Sequence, residues 1–165
     1  MMKNVILVSA CLCGVNCRHD GNMIDNQLLK KLVAQKKAIP LCPEMLGGRG
    51  VPRYPAEIVG GSAEDVINGR AKIKDRMGKD VTNETIAGVL YVVAAVKRMG
   101  IKNAILKTKS PTCGMGKIFD GSFSGKLIDG DGILTAALIK EGIKIYTEND
   151  CSTLVKELLE ENDVP

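Results

Sequence analysis

Short aliphatic runs alternate with helical periodicity along this chain, and that alternation narrows the folds open to it. Asn4–Ala10 (NVILVSA) reads as a buried strand and Asp25–Lys37 (DNQLLKKLVAQKK) as an amphipathic helix. Leu28, Leu29, Leu32 and Val33 share one stripe of that helix, with Asp25 as its expected N-cap. Ala38–Cys42 is a second strand, and Asp65–Asp75 reads as a hairpin turning at Asn68-Gly69, a pair that tolerates positive φ. The longest helix begins near Asp80, with Ile86, Val89, Leu90, Val93 and Val96 on one face and Gly100 as its C′ residue. Asn103–Thr108 is another strand. A short helix follows with Leu134, Ala137 and Leu138, ended by Gly142. Ile143–Tyr146 is the last strand, and an amphipathic helix closes the chain. Two Gly/Pro-rich segments, 43–61 and 110–132, read as long loops, which at that length usually carry function.

Strands alternating with helices imply an α/β fold with a mostly parallel sheet covered on both faces. Composition agrees. Aromatic residues make up 3% of the chain and Trp is absent, so the core must be aliphatic, as buried parallel strands require. At 165 residues the chain is expected to form one domain, 1–165. The stretch before Cys11 is too short for a secretory h-region, and no run reaches the roughly 18 apolar residues of a membrane span. A cytoplasmic, non-membrane location is therefore the expectation. There, six cysteines point to metal, catalysis or packing rather than disulfides.

Three of the six share an address. Cys11 ends the first strand, Cys42 ends the second, and Cys113 lies just past Asn103–Thr108. Ligands of open parallel sheets bind beyond the carboxyl ends of the strands, so these distant thiols can converge there. Structural zinc commonly uses C-x2-C pairs; none occurs here, and the lone His19 reads as a solvated turn residue. An iron–sulfur cluster accepts widely separated thiolates, and three of them leave one iron open. Plain core cysteine is the commoner role for any one of them taken singly.

VSACLCGVNCRHDG, PLCPEMLGGRGVPRYPAEI, GKDVT, ILKTKSPTCG and the IFDGSFSGK…IYTE stretch occur in order between about Val5 and Glu148. Together they resemble the small bacterial and archaeal family, long labelled a domain of unknown function, that includes the thiouracil desulfidases. The resemblance implies a Rossmann-like three-layer fold and a [4Fe-4S] cluster held by three cysteines. In such members the open iron takes sulfur from a thiocarbonyl without net redox change. Carried over by motif, the cluster ligands are Cys11, Cys42 and Cys113, and the acid–base pair is Glu44 and Ser110. The implied partner is a small thiolated heterocycle. Cys13 and His19 depart from the family pattern, where a hydrophobic residue and Tyr are more usual. Cys13 and Cys17 are then bystanders or tune the entrance, and Cys151 is set aside as a fourth ligand on resemblance alone.

Two other readings compete. Residues 1–147 carry 22 bases and 13 acids, a surplus that could attract nucleic acid, though RNA readers usually stack bases on aromatics. A cysteine-based sulfur carrier would use Cys13 or Cys17 as nucleophile and needs a depressed thiol pKa. Arg18, Arg53, Lys107 and Lys109 are basic residues expected near the site.

Overall fold

The computed structural model describes residues 4–161. Its centre is a four-stranded, wholly parallel sheet in the order β2-β1-β5-β8. These strands are β1 (Ile6–Ser9), β2 (Ala38–Leu41), β5 (Asn103–Leu106) and β8 (Lys144–Thr147). Every residue of β1 is buried, as an aliphatic run covered on both faces requires. On one face, α1 (Gln27–Ala34) and α6 (Ser152–Glu160) bring Leu29, Leu32, Val155 and Leu158 against Ile6, Val8 and Ile105. On the other, α4 (Thr82–Met99) and α5 (Ile133–Lys140) bring Val89, Val92, Val96, Leu134 and Leu138 against Leu7, Ala104 and Leu106. Successive strand residues point to opposite faces, so β1 divides its side chains between the two cores.

The predicted α/β fold with a mostly parallel sheet is thus what forms. Several local expectations need correction. Asn26, not Asp25, caps α1: its side chain accepts the Leu29 N–H at 3.1 Å, while Asp25 pairs with Lys30 at 3.0 Å. Leu28 and Leu90 face solvent, because Leu29 with Leu32, and Val89 with Val92, take the core positions of their helices. Gly100 ends α4 in the left-handed region, as read. The expected hairpin at Asn68-Gly69 is absent. Ser62 and Asp65 form a reciprocal capping box that starts α3 (Ala63–Ile67). The strand β4 (Lys72–Asp75) pairs instead with β3 (Ala56–Val59), across from Ile58 to Ile73.

Both long loops also contain structure. The first holds α2 (Pro43–Leu46) and β3; the second folds into an antiparallel hairpin of β6 (Lys117–Phe119) and β7 (Leu127–Asp129). The short helix α2 is fixed by contact with α4 at two glycines. A Cβ on Gly47 would meet the Glu84 carbonyl oxygen at 1.8 Å, and one on Gly88 would meet the Pro43 carbonyl oxygen at 1.7 Å. The two backbones touch, so any side chain at either position pushes α2, with Cys42 and Glu44, off its seat.

Gly88→Ala is expected to cost about 3 kcal/mol or more, at or beyond the upper end of usual overpacking, since helix backbone must move. Gly50→Ala, where an added Cβ meets nothing within 4 Å, should stay within about 0.5 kcal/mol of the parent. Urea unfolding followed by circular dichroism checks both, and equal effects would refute the contact argument.

Candidate active site

The parallel strands all end on one side. β1 lies between β2, which follows it in the chain, and β5, which arrives much later. Chain order reverses at that point, and such a reversal leaves a crevice beyond the strand ends. A cavity of about 550 Å³ occupies it. Cys11, Cys42, Cys113, Glu44 and Ser110 all line this cavity.

Three segments position them. Cys11 sits in the 3-10 turn Ala10–Leu12 that follows β1. Cys42 is the N-cap of α2, and Pro43 begins the helix where a missing N–H costs nothing. Glu44 follows in its first turn. The Cys113 loop is gripped from two sides. Ser110 Oγ accepts the N–H groups of Thr112 and Cys113, each at 3.1 Å. The first amides of α5 donate to the Pro111 and Thr112 carbonyls at 3.0 and 2.9 Å, and Thr135 Oγ1 donates to the Cys113 carbonyl at 3.0 Å. Ser9 ties β1 to the end of β5 by accepting the Lys107 N–H at 3.0 Å.

Glu44 joins these loops. Its Oε2 accepts from Arg53 Nε at 2.6 Å and Arg49 Nη1 at 3.2 Å, and its Oε1 from Thr112 Oγ1 at 3.0 Å. Arg53 reaches on to the Cys17 carbonyl at 3.0 Å, and Arg49 to the Tyr54 carbonyl at 3.1 Å. A chain of charge-assisted bonds therefore runs from the Cys17 loop through Arg53 and Glu44 to Thr112, beside Cys113.

Of the two cysteines read as bystanders or as tuning the entrance, Cys17 lines the cavity. It is buried, and hydrogen bonding of its thiol toward Cys11 and Cys42 is the first cause of the pKa shifts at all three. Its own pKa is raised steeply, by the interaction with Cys11 and Cys42 first and by burial next. Cys42 falls to about 6, through that bond first, against the cost of burial, with the Met45 N–H also favouring the thiolate. Cys11 is lowered too, again chiefly by Cys17, with Lys107 and Arg18 helping. Burial pushes Cys113 up, and the neighbouring Cys11 and Cys42 add to the rise. Only the C-R spacing behind Cys17 hinted at this, and nothing local says that its side chain turns toward the strand ends.

The other assignments sort cleanly. Cys13 is buried in the α1–α6 core and pushed up to about 12 by desolvation. Neither Cys13 nor Cys17 thus has the depressed pKa a sulfur-carrier nucleophile needs. Cys151 lies in the same core as Cys13, away from the cavity lining, so it is not at a fourth-ligand position. His19, expected to be solvated, lines the cavity, and partial burial lowers its pKa. Arg18, Arg53, Lys107 and Lys109 also line it, with Arg53 committed to Glu44 and Lys107 to Glu148 at 2.9 Å.

Among the described residues, no three His, Cys, Asp or Glu side chains converge as the ligands of a single ion would. Cys11, Cys42 and Cys113 are nevertheless near enough for their charges to perturb one another. All three line the same cavity, and thiolates are the donors that iron–sulfur clusters use.

The family model described as 2-thiouracil desulfurase matches residues 6–150. The chain belongs to that family. It is 44% identical over 151 residues to the uncharacterized protein YbbK of Bacillus subtilis (strain 168), covering 92% of this chain and 100% of that one. A solved structure of the [4Fe-4S]-dependent thiouracil desulfidase TudS superposes with a TM-score of 0.82 at 36% identity, over 95% of this chain and 99% of that one. No helix among the described residues of this family member is long and apolar enough to cross a membrane.

Removing the carboxylate at the centre of the network should be costly, because Arg49 is only 8% exposed and would keep its charge without its partner. Glu44→Ala is expected to lose about 3–5 kcal/mol in urea unfolding. Thr112→Val, which deletes one bond to a charged group, should lose about 1.5–3 kcal/mol. A Glu44→Ala protein as stable as the parent would show that the network does not hold the loops.

Proposed function

We propose that this protein removes sulfur from the C=S group of a small thiolated heterocycle of the thiouracil type, with a [4Fe-4S] cluster held by Cys11, Cys42 and Cys113. The observation that carries the reading is the meeting of these three strand-end cysteines with Glu44 and Ser110 around one cavity. The donor set fits the cluster: the Cys11 and Cys42 pKa values are shifted toward the thiolate, and a bound metal deprotonates a coordinating thiol outright, as Cys113 requires. When bound, a cluster with three protein ligands supplies an iron with a vacant position, a soft Lewis acid for a thiocarbonyl sulfur.

The net reaction replaces sulfur by the oxygen of water: C=S and H₂O become C=O and H₂S, with no electrons gained or lost. The chain must therefore take a proton from water and return one to the departing sulfur. Hydrogen-bond capacity divides these tasks. A carboxylate has about four acceptor positions. Glu44 uses two on Oε2 for arginine and one on Oε1 for Thr112, so the position left on Oε1 is its route to a water proton. A serine hydroxyl has two acceptor positions and one donor. Ser110 gives both acceptor positions to backbone N–H groups, which leaves it a pure donor toward an electronegative atom of the ring. Glu44 acts as acid–base residue and Ser110 orients the substrate. The arginines hold Glu44 against the cavity wall, so its working oxygen needs no reorganisation during reaction.

Anaerobic reconstitution with iron and sulfide should give visible iron–sulfur absorbance and sulfide release from 2-thiouracil. Cys11→Ser, Cys42→Ser and Cys113→Ser should each lose most of the absorbance, while Cys151→Ser keeps it. Glu44→Gln should keep the cluster and lose roughly 10²–10⁴-fold in kcat, the usual contribution of one acid–base group. A reconstituted protein that stays colourless, or a Glu44→Gln variant at the parent rate, would overturn the reading.

A further inference from the structure

This aromatic-poor chain has two phenylalanines, Phe119 and Phe123, and both line the cavity of the three cysteines. They come from the β6–β7 hairpin, which lies outside the parallel sheet. The hairpin tip is held by Glu57, a buried carboxylate on β3 that also lines the cavity. Its Oε2 accepts the backbone N–H groups of Gly121 at 2.8 Å and Phe123 at 3.1 Å. Gly121 has φ +90°, and a Cβ there would lie 2.4 Å from the Ile58 carbonyl oxygen, so the tip rests backbone to backbone on β3. Phe123 itself has φ 57°. A bulky residue adopts that left-handed conformation rarely, and keeps it only where the surroundings enforce it. Here one buried carboxylate, bonded to the amide of Phe123 and to that of Gly121, does so.

An arrangement that strains a backbone to bring an aromatic residue to the cavity calls for a flat ligand. We infer that the hairpin supplies an aromatic wall, with Phe123 as the ring on which the face of the thio-heterocycle stacks, so that the site selects conjugated rings over saturated rings bearing the same C=S group. The inference rests on the desulfuration reading and adds to it the class of ring accepted. Aromatic faces stack on any planar base, so the wall fixes the ring plane while leaving the edge, where the C=S lies, free for chemistry. Glu57 is a positioning residue: it acts through the hairpin amides.

The test compares cluster-loaded protein on 2-thiouracil and on 5,6-dihydro-2-thiouracil, which share the thiourea unit but differ in ring planarity. The parent should prefer 2-thiouracil, and Phe123→Leu should reduce that preference on the order of tenfold, mainly through KM, with cluster absorbance unchanged. Phe123→Tyr keeps a ring and should keep the preference. Glu57→Ala should lose it, and Glu57→Gln, which retains an amide oxygen acceptor, should restore much of it. Calorimetric binding of uracil against dihydrouracil reads the wall without turnover: the parent should favour uracil, and Phe123→Leu should not. Parent-like preference and uracil affinity in Phe123→Leu would overturn the aromatic wall while leaving desulfuration intact. Failure of the loaded parent to release sulfide from either compound would overturn the desulfuration reading, and the calorimetry would still judge the wall. If Phe123→Leu does not fold, the Glu57→Ala and Glu57→Gln pair decides in its place.

Discussion

The carboxylate of Glu44 is the constraint on which this site depends. It is a nearly buried anion, and its negative charge is tolerable only because two guanidinium groups and a hydroxyl meet it. Those partners come from the loop after α2 and from the loop that carries Cys113. Arg53 extends the connection to the loop that carries Cys17. Meeting the demands of one charge therefore ties three loops to each other. The same carboxylate lines the cavity, so the interaction that orders the site also holds the residue of its proposed chemistry.

Beneath this network lies the parallel sheet. Its strand ends supply an edge where chain order reverses, and a cavity forms there because the loops diverge on either side. The short helix α2 carries both Cys42 and Glu44, yet four residues cannot hold a helix in place by themselves. Its seat is the backbone contact with α4 at Gly47 and Gly88, and the long helix passes the rigidity of the core to the site. The β6–β7 hairpin is secured differently, by a buried carboxylate that binds backbone amides. Helix and hairpin both contribute residues to the cavity lining, each anchored through backbone atoms.

Much of this was legible beforehand. The parallel strands follow from aliphatic runs too short for anything else, and the end of α4 from Gly100. Cys11, Cys42 and Cys113 were singled out because each follows a strand, and the cavity lining brings them together. The misreadings share a cause. Asn68-Gly69 suits a hairpin turn, but the capping box at Ser62 and Asp65 had already committed the preceding residues to a helix. The glycine-rich loops hid α2, β3, β6 and β7 because elements of three or four residues show no periodicity. Helical periodicity places Leu28 and Leu90 on apolar stripes but does not say where the edge of a stripe meets solvent.

By itself, then, the order of residues determined the four strands of the central sheet and the longer helices that cover it, that those strands run parallel, and that three thiols leave the sheet at its carboxyl edge, because these follow from local periodicity and chain connectivity. Only the folded molecule decided that Cys17 faces Cys11 and Cys42 while Cys13 turns into the core, that Glu44 is met by Arg49, Arg53 and Thr112, and that a distant hairpin brings both phenylalanines to the same cavity. Each of those outcomes joins residues far apart in the chain, through contacts whose strength depends on burial and approach distance, quantities that exist only once the elements have packed.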